Sequence, residues 1–328
     1  MGTQIGVIGA GGWGTCLSLL ALKRNHTVRL WEVFPDYAWT LQERRENILF
    51  LPGIRIPPEI MVSASLPEVV RASKYLLIAV PSRYFRHTLQ RLKPLYRNQP
   101  LLIATKGLEV QTGMTMSAVL KQLLPDSSFA VLSGPCIARE LACGCPSAAV
   151  VASPDLKIAS IFQKHLSSSS LRLYTTVDVR GVELGGAIKN VIAIGAGIID
   201  GLNLGINTKA AYLTRGLKEM VRVGVALGGK EKTFYGLSGL GDLITTAFSP
   251  VSRNRSFGEA LITSSQEKFF QETQMVVEGY FTVKSLLRLI RARSIDAPIT
   301  QAIYRIVYLK HNPRQVLEDL MNRRLKQE

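Results

Sequence analysis

A chain of 328 residues with 47% apolar and 20% charged residues has the length of about two domains and is too apolar to be disordered. Its four cysteines, Cys16, Cys136, Cys143 and Cys145, are too few for a disulfide framework, so a reduced, cytoplasmic setting is expected. The net charge of +16 divides evenly, +8 over residues 1–178 and +8 over residues 179–328. Such a diffuse field suits an anionic small molecule or weak peripheral contact with an anionic membrane, and no nucleic-acid-binding motif accompanies it.

The first element is a strand, Gln4–Ile8, running into Gly9-Ala10-Gly11-Gly12-Trp13-Gly14 and then a helical stretch, Thr15–Arg24. Ile5–Leu22 is apolar but holds Gly6, Gly9, Gly11, Gly12 and Gly14, with no basic residue before it. It makes a poor signal peptide. No other apolar run is read as reaching the ~18 residues of a spanning helix, so membrane insertion is not expected. In the order strand, GxGxxG, helix, Gly9 makes the tight turn and Gly11 lets a pyrophosphate approach the backbone. Gly14 permits close helix–strand packing, and the helix N-terminus offers free N–H groups. A glycine-rich packing turn would read similarly.

The second strand, Thr27–Trp31, ends at Glu32, 18 positions after Gly14. A carboxylate there would accept from the ribose 2′-hydroxyl of NAD and repel a 2′-phosphate. NAD is therefore expected as cofactor, with NADP the alternative should Arg44 and Arg45 swing in. The competing reading turns Glu32 to solvent at the Pro35 turn.

Further strands are expected at Tyr75–Val80, Leu101–Thr105, Phe129–Leu132, Ala148–Ala152 and Leu171–Tyr174. Their continuous apolar runs alternate with helical stretches, as in a mostly parallel sheet buried on both faces. Lys106 follows Leu101–Thr105, the fourth strand expected along the chain, at the end where open α/β sheets bind ligands; a solvated loop lysine reads equally well. Cys143-Gly144-Cys145 lacks a second Cys or His pair, and His26, His87, His165 and His311 are scattered. No metal site is expected. Ser167–Ser170 reads as a surface loop.

Past Asp178 strand signals fade. Helices are expected at Val182–Asp200, Lys209–Leu227, Val283–Ala292, Ile299–Val307 and Pro313–Leu325, the last started by Asn312-Pro313. The fold class is therefore α/β, a Rossmann-type dinucleotide-binding domain over 1–180 followed by an all-helical substrate domain over 181–328. Between Glu183 and Asp200 only Lys189 and Asn190 are polar, so this helix is buried. A lysine inside it is desolvated, which suits proton transfer at an oxygen; snorkelling or a structural ion pair is the alternative. Gly239-Leu240-Gly241-Asp242 places a carboxylate that could pair with a lysine. Ser252-Arg253-Asn254 offers phosphate donors, although read alone it fits a turn and helix cap.

Taken together, GAGGWGT at Gly9–Thr15, LPGI at Leu51–Ile54, VPS at Val80–Ser82, TKG at 105–107 and SGP at Ser133–Pro135 form one series. ELGGAIKNVIAIGAGI at 183–198, GLGDLITT at 239–246, SRN at 252–254 and VVEG at Val276–Gly279 complete it. The series resembles bacterial-type NAD(P)-dependent glycerol-3-phosphate dehydrogenase over nearly the whole chain. The resemblance implies reversible hydride transfer between NAD(P)H and dihydroxyacetone phosphate, giving sn-glycerol 3-phosphate for glycerophospholipid synthesis. It implies catalysis by Lys189, Asp242 and Lys106. A substrate site is expected at Lys106, Gly134, Asn190, Asp242, Thr246, Ser252, Arg253 and Asn254. Cofactor contacts are expected at Gly9, Gly11, Gly12, Trp13, Gly14, Glu32, Lys106, Ala138, Arg253, Val276 and Glu278. A homodimer acting on a small phosphorylated molecule, without nucleic acid, is expected. The chain departs from the family's common Ser at Gly12 and Ser or Thr at Cys136, and Glu32-Val33 stands where a basic or polar residue is usual. The competing readings are another two-domain hydroxyacid dehydrogenase and a non-catalytic NAD(H)-sensing protein.

Overall fold

The computed structural model describes residues 2–273, 276–324 and 327. Two compact units divide the chain: residues 1–106 with 114–183, and residues 107–113 with 184–328.

In the first unit the elements run β1 (Gln4–Ile8), α1 (Gly12–Leu22), β2 (Thr27–Trp31), α2 (Pro35–Arg44), β3 (Glu46–Asn47), β4 (Leu51–Arg55) and β5 (Ile60–Ser63). They continue with α3 (Leu66–Arg71), β6 (Tyr75–Ile78), α4 (Ser82–Leu92), β7 (Leu101–Ile103), α5 (Met116–Leu123) and β8 (Phe129–Ser133). The unit closes with α6 (Ala138–Ala142), β9 (Ser147–Ala152), α7 (Leu156–Leu166) and β10 (Leu171–Thr176). Eight strands form one sheet in the order β10-β9-β8-β7-β6-β1-β2-β5. All its pairings are parallel except β8 against β9. The continuous apolar strands feed two cores, one on each face. Tyr75 and Leu77 join the cluster with Val7, Val28 and Leu102. Leu76 and Ile78 join the other with Ile8, Leu101 and Ile103. Successive side chains on a strand point to opposite faces, so an unbroken apolar run is what a sheet covered on both sides requires.

The strands expected at Tyr75–Val80 and Leu101–Thr105 stop at Ile78 and Ile103. Beyond them the chain turns off the sheet, and the Thr105 hydroxyl donates to Val80 O at 2.7 Å. β5 and the antiparallel β3–β4 hairpin were not expected.

The second unit is helical: most of α8 (Val179–Gly201), then α9 (Gly205–Ala226), α10 (Glu231–Phe234), α11 (Asp242–Phe248), α12 (Arg253–Thr263), α13 (Gln266–Glu272), α14 (Glu278–Ala292), α15 (Pro298–Leu309) and α16 (Pro313–Met321). The short helices α10 to α13 had no periodic apolar signal in the sequence. α16 starts as expected, with the Asn312 side chain accepting from Arg314 N and Gln315 N. It stops at Met321 rather than Leu325; Asn322 to Arg324 are not helical, and Leu325 itself lies outside the described residues. A second correction concerns length: α8, at 23 residues, is apolar and long enough to cross a membrane. Its apolar stretch is buried throughout within the protein, against the other helices of its core. Its glycines explain how. A Cβ on Gly197 would overlap Arg255 O, and one on Gly201 would sit 3.0 Å from Glu259 O, so α12 lies directly on the backbone of α8.

Residues 107–113 pack with this unit. Leu108 is buried in its core, the Ser285 hydroxyl donates to Glu109 O at 3.3 Å, and Arg288 Nη1 donates to Gln111 O at 2.6 Å.

Candidate active site

Between β1 and α1 the chain turns at Gly9, whose φ is +110° and whose missing Cβ leaves room for Val80 N at 3.1 Å. A Cβ on Gly14 would overlap Gly9 O, which is the close helix–strand contact expected of the third motif glycine. Gly11, by contrast, has nothing within 4 Å of where its Cβ would stand. Gly11 caps α1 with no side-chain hydrogen bond, leaving the first-turn amides without an internal acceptor. The indole Nε1 of Trp13 is buried and has no hydrogen-bond partner among the described residues. Open backbone, uncapped amides and an orphan donor form a surface suited to an anionic pyrophosphate.

Sequence reasoning missed what holds this loop. Asn47 is fully buried, and its Nδ2 donates to Ala10 O and to Thr15 Oγ1, both at 2.8 Å. Its Oδ1 accepts from Tyr37 Oη at 2.7 Å and Phe50 N at 3.1 Å. Both hydrogens and both lone pairs of the amide are thereby used. The same hairpin explains Gly12: a Cβ there would overlap Phe50 O. No sequence signal marks a lone Asn for this role.

Glu32 is neither solvent-facing nor free. It is 6% exposed, and its Oε1 accepts from Phe34 N at 3.0 Å across its own turn. Burial pushes its carboxyl up from the usual range, partly opposed by the amides of Phe34 and Val33. Next to it Phe34 is 68% exposed, an aromatic ring the sequence reading did not single out.

Lys106 and Gly134 come together: Lys106 Nζ donates to Gly134 O at 2.9 Å. Gly134 has φ +147°, and a Cβ on it would meet Ala149 Cα at 2.8 Å. Ala138 begins the short helix α6.

The remaining site residues belong to the second unit. Lys189, 7% exposed on α8, places Nζ 3.0 Å from Asp242 Oδ1, and Asp242 is 2% exposed at the start of α11. The same Nζ donates to Thr246 Oγ1 at 2.6 Å, and Thr246 donates to Asp242 O at 2.7 Å. Burial alone would favour a neutral amine; a carboxylate at 3.0 Å favours the ammonium. The ammonium and the carboxylate thus compensate each other in a buried setting, and Thr246 helps fix the direction in which Nζ points.

Asn190 and Asn254 form a second cluster. Asn254 Nδ2 donates to Asn190 Oδ1 at 2.9 Å, and Asn254 Oδ1 accepts from Gly279 N at 2.8 Å. Asn190 Nδ2 also donates to Gly186 O at 3.2 Å, so these bonds use one amide hydrogen of each residue. Ser252 caps α12, accepting from Arg255 N, so the helix-cap reading of this segment is right for that hydroxyl oxygen. Arg253 is exposed, with Nη1 donating to Val276 O at 2.9 Å. Glu278, at the start of α14, interacts favourably with Arg253. The structure thus joins Lys106 to Gly134 in the first unit, and in the second it joins Lys189 to Asp242 and Thr246, and Asn190 to Asn254.

The NAD-dependent glycerol-3-phosphate dehydrogenase N-terminus model matches residues 4–159, and the C-terminus model of the same family matches residues 178–318. A glycerol-3-phosphate dehydrogenase [NAD(P)+] of Geobacter sulfurreducens is 42% identical over 333 aligned positions, covering 100% of this chain and 99% of that protein. The protein of that name in Sodalis glossinidius is 43% identical, with 98% and 96% covered. The crystal structure of glycerol-3-phosphate dehydrogenase from Coxiella burnetii superposes with a TM-score of 0.95 at 34% identity, covering 98% of this chain and 99% of that one. With both family models matched in order and full-length relatives above 40% identity, the chain belongs to the NAD-dependent glycerol-3-phosphate dehydrogenase family.

Proposed function

We propose that the protein is an NAD(P)-dependent oxidoreductase that reduces dihydroxyacetone phosphate to sn-glycerol 3-phosphate, reversibly, for glycerophospholipid synthesis. The buried Lys189–Asp242 pair, 3.0 Å apart and steadied by Thr246, carries the reading. Reduction of a ketone needs a hydride at carbon and a proton at oxygen. The nicotinamide cofactor, when bound, supplies the hydride. Lys189 supplies the proton as alkoxide charge develops, and Asp242 keeps the ammonium charged and aimed until that moment.

Gly9, Gly11, Gly12, Trp13 and Gly14 would hold the pyrophosphate, with Ala138, Val276 and Glu278 as further cofactor contacts. Lys106, beside Gly134, gives a second cation for the substrate's oxygens. Arg253, exposed and anchored at one nitrogen, would grip the phosphate, with Ser252, Asn254 and Asn190 adding donors. That remote grip supplies binding energy and orientation at the carbonyl. Glu32 is assigned to the ribose 2′-hydroxyl, making NAD the preferred cofactor over NADP. The four free cysteines are consistent with a cytoplasmic enzyme. The charge of +16 favours weak, salt-sensitive contact with anionic membranes, and a homodimer is proposed from the family resemblance.

The test is NADH oxidation with dihydroxyacetone phosphate and with dihydroxyacetone, in wild type and Arg253→Ala. Wild type should strongly prefer the phosphorylated substrate. Arg253→Ala should lose kcat/KM on it by about 10²-fold or more and lose little on dihydroxyacetone. Equal losses on both would remove the phosphate-reading role, and no oxidation with either would remove the reading as a whole.

A further inference from the structure

Lys189 of α8 is met by a carboxylate from a segment that is not ordinary helix: Leu237–Gly241 forms a π-helical turn that runs straight into Asp242. Such turns are rare and concentrate at functional sites. This one is clamped on two sides. On one side a Cβ on Gly239 would overlap Phe234 O. On the other, a Cβ on Gly185 would lie 2.7 Å from Ser238 O, 3.2 Å from Ser238 C and 3.4 Å from Gly239 Cα. Within the turn, Gly239 N and Gly241 N both donate to Gly236 O, at 3.3 and 3.1 Å. Ser238 and Gly239 are buried.

The spacing along the two elements matches. Lys189 lies four residues after Gly185, one turn further along the same face of α8. Asp242 lies four residues after Ser238. The backbone contact Gly185–Ser238 and the ion pair Lys189–Asp242 are therefore successive rungs between the same two elements. The first rung has no side chain to compress and sets the distance at which the second forms.

We propose that Gly185 is a positioning residue of the reaction: its missing side chain lets the π-helical turn seat against α8 and so fixes the Lys189–Asp242 separation. This rests on the reading of Lys189 as the proton donor. A methyl group at 185 needs about 0.7 Å more room to reach an ordinary contact with Ser238 O, and backbone, not a flexible side-chain tip, must yield it. The carboxylate then retreats from the ammonium, and Lys189 gives up its proton at lower pH.

The experiment compares Gly185→Ala, Asp242→Glu and the double variant with wild type, each checked for native circular dichroism. Gly185→Ala should lower kcat by roughly tenfold, leave KM for dihydroxyacetone phosphate within about twofold, and move the alkaline limb of kcat down by about half a pH unit. Asp242→Glu, whose longer arm over-reaches at fixed spacing, should also lower kcat. In the double variant the longer arm should span the widened gap and recover much of the lost kcat and the alkaline limb. Additive losses, or an unmoved limb in Gly185→Ala, would overturn the proposal. If Gly185→Ala does not fold, Asp242→Glu alone decides: wild-type kcat and pH profile would show a compliant separation and overturn it. Lys189→Ala separates the two layers. Activity retained there removes the proton-donor reading itself, whereas loss there with a wild-type profile in Gly185→Ala removes the spacing proposal alone.

Discussion

Glycine serves opposite ends at Gly11 of the first unit and at Gly258 and Gly279 of the second. In the first, Gly11 leaves backbone open with nothing within 4 Å, which clears a surface for a ligand. In the second, glycines let elements touch: a Cβ on Gly258 would overlap Ile194 O, and one on Gly279 would stand 2.5 Å from Asn190 O. One residue type thus clears open surface at Gly11 and serves internal geometry at Gly258 and Gly279, as it does at Gly14 of the first unit. Sequence alone does not distinguish these uses, since GxGxxG and the glycines of α8 look equally permissive on paper.

The comparison can be broken at its most sensitive point first. Lys189→Ala should cut kcat by about 10²–10⁴-fold while NADH affinity stays within a factor of about two. Steady-state rates with fluorescence titration of NADH would read both, and retention of half the wild-type kcat would exclude the role. Next comes packing against clearance. Gly258→Ala should destabilise by about 1–3 kcal/mol in urea unfolding, because helix backbone must move. Gly11→Ala should leave the melting temperature unchanged yet weaken NADH binding by roughly tenfold, since the methyl group occupies ligand space rather than protein space. The reverse pattern would mean the two regions do not differ as described.

Smaller still is cofactor choice. Glu32→Ser should narrow an NADH preference over NADPH by about tenfold, roughly the effect of one charged contact, as a ratio of kcat/KM values. An unmoved ratio would mean that capping Phe34 N is the carboxylate's whole task. Smallest is the acid response of the first unit. His26 Nδ1 accepts from Thr3 N at 3.2 Å, and His26 Nε2 stands 3.2 Å from His165 Nδ1. Burial lowers both imidazoles from their ordinary value, and Arg24, Lys74 and Lys164 oppose a further positive charge. A lowered folded value means that the unfolded chain takes up protons first. The contribution is therefore whole above about pH 6.5 and is lost as pH falls below it. The melting temperature should decline from pH 7 to 5, less so in His26→Gln/His165→Gln; identical curves would dismiss the pair.

Much of the fold was legible because burial on both faces writes itself as unbroken apolar runs. β1 and β2 begin and end where their sequences change character. β5, Ile60-Met61-Val62-Ser63, hides behind Pro57-Pro58, and β4 contains Pro52-Gly53, which reads as a turn. The grouping of 107–113 with the helical unit has no local signal, since Ser285 and Arg288, some 175 residues away, supply its partners. In the site, residue types and motif context named Lys189, Asp242 and the glycine loop. The 3.0 Å separation, the π-helical turn behind it and the role of Asn47 are tertiary facts, decided by which distant backbones meet.

The saturated amide of Asn47 has one more consequence. With Ala10 and Thr15 tied to the hairpin through its Nδ2 and no valence of the amide idle, the glycine loop owes its shape to the protein alone. An incoming dinucleotide then meets a finished surface, and little ordering entropy is lost in the loop when it binds.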